Sequence, residues 1–352
     1  MRITMTTHVS LMWSGCVTSI ICNGTPCSPP VEVIVTDTLH QPKERTWDGK
    51  TPISQNGIYQ GISLDAYHNN LELLDAPAVS KSALKWLDPI QKNSSPKAFW
   101  GRWKYNPDHV KPKPSEALDF GKATHCLLLG DEDFDAAFVV RPEKYPDYKK
   151  KEAQEWKAQQ IEAGKTIVTP EQYERIQRMR DDANHYPLVQ QGLMTGRVER
   201  SMFWKDPETG IWLKARPDVI PNADAVYADL KTASSFDEDF LSRQVVDAGY
   251  YLQAAMTRMA CRGLKLPFKT FVLLYVLNDD VPDTSHVEID EEDIDRGEDI
   301  VRYGLRTIRE CLDSGYWPGK LPFSAGERFI KMKPWSRQLL DQFIAYQHQI
   351  AA

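Results

Sequence analysis

Two carboxylates and one amine within a short stretch carry most of the chemistry this chain could do. Asp218 follows Pro217, and Asp229-Leu230-Lys231 comes eleven residues later. In an extended chain residues i and i+2 point to the same face, so Asp229 and Lys231 project together. The connection Ile220 to Ala225 is short enough to return Asp218 beside Asp229 at a common sheet end. Two converging carboxylates repel unless a cation lies between them. A hard divalent ion such as Mg²⁺, with Mn²⁺ as the alternative, prefers oxygen ligands and keeps waters for reaction. The backbone carbonyl of Leu230 offers a further oxygen ligand. Lys231 would then orient or help deprotonate a water attacking a phosphodiester, or stabilise charge in the transition state. The competing reading makes the two aspartates strand-end turn residues and Lys231 a surface lysine. What tips the balance is the placement of Asp218, after a proline and between two expected strands.

The elements that must position these groups are legible from periodicity and punctuation. Val198 to Lys205 alternates, Asp206-Pro207-Glu208-Thr209-Gly210 is a turn signal, Ile211 to Val219 alternates again, and Ala225 to Leu230 is a short apolar run. Three consecutive strands with tight connections predict an antiparallel meander. A helix is expected over 237–262, a strong strand over Thr270 to Leu277, and a helix over 291–314. Upstream, Ser80 and Ser82 are candidate caps of a helix starting at Ser80. Residues 115–129 place Ala117, Phe120, Gly121, Thr124 and Leu128 close to one helical face, with His125 on the side of Gly121. Charged amphipathic helices are expected over 149–163 and 170–186, the second opened by Thr169-Pro170. This order predicts an α/β fold with a central mixed β-sheet flanked by helices.

The chain has 352 residues and a formal net charge of -6, which on its face opposes a nucleic-acid partner. The sum hides a contrast. Eleven acidic side chains fall between Asp279 and Asp299, the pattern of a solvated face, whereas residues 90–115 set six Lys or Arg against the single Asp108. No apolar run is long enough for a membrane-spanning helix. None of the six cysteines forms a Cys-x-x-Cys pair, so reduced thiols and a cytoplasmic location are expected. Val9 to Cys22 resembles a weak signal-peptide core but is broken by Ser, Gly and Thr. Residues 1–55, rich in proline, are expected to be a poorly ordered leader, residues 56–325 the catalytic domain, and residues 326–352 a C-terminal helical tail.

Pro217-Asp218 with Asp229-Leu230-Lys231-Thr232 resembles the PD-(D/E)xK nuclease motif, and Gly121-Lys122-Ala123-Thr124-His125 resembles the G-x-x-x-H helix of the RecB-like branch of that superfamily. The resemblance implies a restriction-endonuclease-like nuclease core in which His125 adds a nitrogen ligand to a metal held by Asp218, Asp229 and the Leu230 carbonyl. That branch also carries a glutamine on the helix after the Asp-x-Lys strand, commonly followed by a tyrosine four residues on. Gln253 matches, with Tyr250 and Tyr251 just upstream, but Thr257 stands at the tyrosine position. Ser80, Ser82 and Lys97, with Phe99 and Trp100 nearby, resemble the family's N-terminal S-x-S…SP-x-x-F element. These residues would neutralise phosphates while an aromatic stacks on a base; the alternative is helix capping and core packing. Arg216, beside the acidic pair, either contacts a phosphate or satisfies the aspartates. Glu199 is a candidate upstream metal ligand or a surface residue. Iron–sulfur relatives bracket the nuclease with four cysteines, and only Cys311 stands in a suitable place here.

Within the branch, LKARPDVI, ADLKTASSF and YYLQAAM most resemble the RecE-type exonucleases (exodeoxyribonuclease VIII-like), over about residues 75–320. That implies a metal-dependent exodeoxyribonuclease degrading linear double-stranded DNA 5′ to 3′ and leaving 3′ single-stranded tails for recombination. It further implies a ring-like homo-oligomer and a RecT-type single-strand annealing partner. The alternatives are an endonuclease or structure-specific nuclease of the same fold, or a catalytically inactive DNA-binding protein.

Overall fold

After Arg216 the chain makes four strands: β1 (Val219–Pro221), β2 (Val226–Ala233), β3 (Thr270–Leu277) and β4 (Thr284–Glu288). β2 and β3 run parallel through eight paired positions, from Val226 opposite Thr270 to Ala233 opposite Leu277. β4 is antiparallel to β3, which makes β3 the central strand. Its sequence TFVLLYVL is β-branched, aromatic or aliphatic throughout, and its six inner residues are buried, as a strand covered on both faces requires. A computed structural model describes residues 44–111, 116–130, 134–198, 200–222, 225–320 and 331–350. They fall in the unit His40 to Ala352.

Five helices bear on the site: α1 (Lys81–Leu84), α2 (Glu116–Leu129), α3 (Glu238–Asp247), α4 (Tyr250–Leu264) and α5 (Glu291–Ser314). A parallel pair needs a crossover, and α3 with α4 supplies it between β2 and β3. The period-2 alternation of the strands sorts their side chains. Tyr227, Phe271, Leu273 and Tyr275 pack with Tyr251, Leu252 and Ala255 of α4. Leu230, Leu274 and Val276 face the other way, onto Phe120 and Ala123 of α2 and Ile176 and Met179 of the helix Pro170–His185. The result is a helix–sheet–helix sandwich. By the same alternation, Asp229 and Lys231 belong to the α4 face. A second, mixed sheet orders Arg45–Thr46, Gly57–Gln60, Ser201–Lys205, Trp212–Ala215 and Ala78–Val79.

α5 covers α4, and the approach depends on Gly297. A Cβ built there would lie 2.7 Å from the Ala255 Cβ and 2.8 Å from the Tyr251 carbonyl oxygen, the latter part of rigid helix backbone. Gly297→Val is therefore expected to destabilise the fold by about 1–3 kcal/mol, measured by urea denaturation. An unchanged midpoint would show that α5 does not depend on this close approach.

The structure departs from the sequence expectations in three places. The meander closes only for its first two members: Met202 pairs with Ala215 and Lys205 with Trp212, but β2 is not hydrogen-bonded to that hairpin. Pro217 has no N–H to extend the ladder. Beyond it β1 pairs instead with Gly196–Val198, and β2 turns to β3. The helix expected over 237–262 is two helices, because Gly249 adopts a left-handed φ of 69° between them. The leader boundary at residue 55 falls inside the folded unit, since Arg45–Thr46 joins the mixed sheet and Ile53 is buried. Residues 1–43 lie outside the described residues, and with them Cys16, Cys22 and Cys27. Cys126, Cys261 and Cys311 are buried thiols. Within residues 326–352 the described chain forms the helix Pro334–Ile350, which exposes Trp335, Leu339 and Phe343. Among the described residues no helix is long and apolar enough to cross a membrane.

Candidate active site

Asp218 stands in the break between Trp212–Ala215 and β1, where Pro217 has just ended the hydrogen-bonded ladder. Its carboxylate crosses to β2 and accepts the Leu230 N–H at its Oδ2, 2.6 Å away. The register explains why that N–H is available. The carbonyls of Ala225 and Ala233 accept from Lys269 and Asn278 at the two ends of β3, so the odd positions of β2 turn their backbone towards β3. Leu230, one position out of phase, turns its N–H and its carbonyl to the opposite edge, where Asp218 waits.

The other oxygen of Asp218 meets His125, with Nε2 2.8 Å from Oδ1. The α2 helix is anchored by Phe120 and Ala123 in the core beneath Leu230, and this seating carries His125 to the sheet edge. Burial alone would raise the Asp218 pKa. The His125 charge and hydrogen bond, the Lys231 charge and the Leu230 N–H outweigh it and hold the carboxyl below its ordinary value of 3.8. A carboxyl depressed in the fold stabilises it above the unfolded pKa and loses that contribution as pH falls through the folded one. Below about pH 4 the wild type should therefore lose stability more steeply than His125→Gln, in which the shift is smaller. Parallel denaturation curves across that range would contradict the pairing.

Asp229 is almost fully buried, at 1 % exposure. One oxygen is paired with the Lys231 ammonium, and the other accepts from Gln253 Nε2 at 2.5 Å. Gln253 comes from α4, which the crossover lays against this face. Thr257, where a tyrosine was expected from the resemblance, is buried and donates its hydroxyl to the Gln253 carbonyl at 2.9 Å. Burial lowers the Lys231 pKa, and Asp218 opposes that shift. The Lys231 ammonium also lies 5.1 Å from the centre of the Tyr250 ring.

Lys81 was not singled out from the sequence. Its ammonium sits 5.6 Å from the Tyr250 ring centre and donates to the Ala248 carbonyl at 3.1 Å. Lys85, one turn on, donates to the Asp247 carbonyl. Together they hold α1 at the break between α3 and α4, against the negative end of α3. Burial first, then Lys231 and Lys85, pushes the Lys81 pKa down to about 7. The i, i+4 spacing of the two lysines was the available signal, and the flanking serines drew notice instead.

Ser80 and Ser82 flank Lys81 with their hydroxyls 3.0 Å apart, and Ser80 caps α1 without a side-chain bond. Arg216 donates to the Ile62 carbonyl at 2.8 Å and lies 5.8 Å from the Tyr67 ring centre, so these contacts are with the preceding segment rather than the aspartates. Lys97 is exposed on Pro96–Trp100 and makes no described hydrogen bond to the aspartates through its side chain. Its neighbours Phe99 and Trp100 stack on Trp317 at centroid distances of 5.7 and 4.7 Å, and Phe99 is buried, which favours the core-packing alternative for that pair. Glu199 lies outside the described residues.

His125, Asp218, Asp229, Lys231 and Gln253 thus meet around one peptide, that of Leu230. Among the described residues no three His, Cys, Asp or Glu side chains stand together as a metal cluster. Asp218 is joined to His125, while Asp229 is turned to Lys231 and Gln253. The donors still suit a divalent ion of the Mg²⁺ or Mn²⁺ class: two buried carboxylates, an imidazole and the Leu230 carbonyl. Buried carboxylates need positive charge nearby, and here His125 and Lys231 supply it.

Residues 82–323 match the family described as a PDDEXK-like domain of unknown function (DUF3799). In fold the chain is similar to the crystal structure of an exonuclease candidate from Eubacterium rectale, with a TM-score of 0.51 at 12 % identity over 78 % of this chain and 96 % of that one. At that identity the likeness is one of fold. An alkaline exonuclease from Laribacter hongkongensis matches at a TM-score of 0.24 and 16 % identity over 55 % of this chain and 97 % of that one, a superposition too poor to carry an argument. No curated protein matches the chain in sequence.

Proposed function

The chain belongs to the PDDEXK-like domain family, and from that membership we propose that it is a metal-dependent exodeoxyribonuclease. It would degrade linear double-stranded DNA 5′ to 3′ and leave 3′ single-stranded tails for recombination. The observation that carries this reading is the convergence of Asp218–His125 and Asp229–Lys231–Gln253 on the Leu230 peptide. Polarity, a ring-like oligomer and a RecT-type annealing partner rest on the sequence resemblance alone.

Asp218, Asp229, His125 and the Leu230 carbonyl would hold the ion, Mg²⁺ or Mn²⁺. When bound, such an ion makes water a stronger nucleophile at neutral pH and neutralises charge on the phosphate. Lys231, beside Asp229, would orient the attacking water or meet charge developing on a phosphate oxygen. Its depressed pKa eases proton exchange. Gln253 fixes the Asp229 carboxylate through one oxygen and leaves the other for ligation. Tyr250 and the serines beside Lys81 would line the approach of the DNA end.

The test is nucleotide release from end-labelled linear duplex and from a covalently closed plasmid, each with MgCl₂ or EDTA. Linear DNA consumed only with Mg²⁺, beside an intact plasmid, is the expected result. Cleavage of the closed plasmid would replace the exonuclease reading with an endonuclease. Inertness on both substrates with Mg²⁺ and with Mn²⁺ would favour a DNA-binding protein.

A further inference from the structure

The short helix Leu64–Asn69, through Tyr67 and His68, gathers cations from separate parts of the chain. Lys104 donates to the His68 carbonyl at 2.8 Å and to Asn69. Lys214, on the strand Trp212–Ala215, donates to the Tyr67 carbonyl at 2.6 Å, with its ammonium 4.8 Å from that ring centre. Arg216, two residues on, donates to the Ile62 carbonyl at 2.8 Å. Lys122, one turn before His125 on α2, acts on His68 through its charge. Bonds to backbone carbonyls orient an ammonium without giving it an anionic partner, while burial pulls the Lys214 pKa down to about 8 and lowers that of Lys104. Among the described residues neither Lys104 nor Lys214 belongs to an ion pair. Asp119 lies 3.8 Å from Lys122, and the charge of Asp65 acts on Lys104.

His68 reports the field these groups make. Desolvation first, then Lys214, Lys104, Arg216 and Lys122, pushes its pKa down to about 4. A chain of net charge -6 has no general reason to concentrate positive charge in this way. Continuity with the proposed site is the second observation, since Lys214 and Arg216 are on the segment that ends at Asp218, and Lys122 is on the helix that carries His125. Point charges and a guanidinium bind phosphates without reading bases, which suits an enzyme that must digest any sequence.

We propose that this strip, Lys104, Lys214 and Arg216 with Lys122 beside it, is the track on which the phosphodiester backbone of duplex DNA lies as it enters the Asp218–Asp229 site. The proposal rests on the nuclease function for its direction, but binding can be measured apart from cleavage. The experiment is fluorescence anisotropy of a labelled blunt duplex titrated with the full chain in EDTA across a NaCl series. It compares wild type, the double variant Lys104→Gln with Lys122→Gln, Lys122→Gln alone, and a control with Lys149→Gln and Lys151→Gln.

Each phosphate contact contributes about 0.9 to the slope of log K against log salt. The strip double variant is expected to flatten that slope by about one to two units and to weaken binding at least about 5-fold near 0.1 M salt. Lys122→Gln, an exposed substitution that leaves the fold alone, is expected to give about half the slope change, and the control should match wild type. Strip variants indistinguishable from the control would overturn the track even if the wild type cuts DNA. A wild type that binds steeply through the strip yet cuts nothing would remove the nuclease function and leave the track standing. Absence of duplex binding by the wild type would overturn the track, while the nuclease function stands or falls on cleavage with Mg²⁺. Equal loss of affinity for a flexible polyanion such as heparin would reduce the strip to a general anion sink and overturn its assignment to duplex DNA.

Discussion

Asp229→Ala is expected to lower Mg²⁺-dependent nucleotide release from linear duplex by about 10²–10³-fold or more, the scale on which removal of one transition-state-stabilising group acts. The reason lies in where Asp229 sits. It is the most buried charge of the cluster, and it is the group to which both Lys231 and Gln253 are tied. Its loss would remove a proposed ion ligand and release the amine and the amide that the carboxylate orients. Asp229→Asn keeps the size and an acceptor for Gln253, so it should still fold, at a lower stability because Lys231 loses its carboxylate, and lose most activity. That comparison separates chemistry from folding. Activity surviving both substitutions under Mg²⁺ would remove Asp229 from the site, and attention would move to acids outside this cluster.

The second large effect belongs to Lys231→Met, and it has two readouts. Activity should fall by about 10²–10⁴-fold, as for loss of a positioned proton-transfer or charge-stabilising group. Stability should also fall, because Asp229 is left buried with Gln253 as its remaining described donor. Removing one partner from a buried ion pair costs about 3–5 kcal/mol; Lys231 keeps some solvent contact, with its side chain 19 % exposed, so about 2–3 kcal/mol is expected. In wild type the ammonium already supplies the countercharge. In the variant a divalent ion would replace it, so saturating MgCl₂ should raise the variant's Tm more than the wild type's and narrow the gap seen in EDTA. A gap that Mg²⁺ does not change would show that these carboxylates are not where the ion binds.

Much of the proposed site's geometry was legible because the spacing that brings its residues together is local. Asp229 and Lys231 share a face by the period of any strand, and Pro217 marks where a strand must stop. His125 fell on the Gly121 side of a helix by its spacing alone. The boundaries of Pro170–His185 and Glu291–Ser314 agree closely with expectation for the same reason. Thr169 and Gln172 form a capping box, and Asp290 caps α5 through its own side chain. The hidden parts depend on groups far apart in sequence. Nothing near Leu230 says that its N–H will meet a carboxylate instead of another strand, because that depends on β3 occupying one edge of β2 and leaving the other open.

The sequence by itself determined a candidate set, Asp218, Asp229, Lys231 and His125, and the α/β alternation that carries it, because residue type, strand period and helix spacing act over a few residues. Tertiary structure decided how the set is wired. The parallel pairing of β2 with β3 turned Leu230 towards Asp218, the left-handed Gly249 divided one expected helix into two, and α4 then delivered Gln253 to Asp229. Packing likewise brought Lys81 up to Tyr250 and gathered Lys104, Lys214 and Arg216 around one short helix. Those contacts join residues separated by tens to more than a hundred positions, and only closing the core around β3 sets their distances.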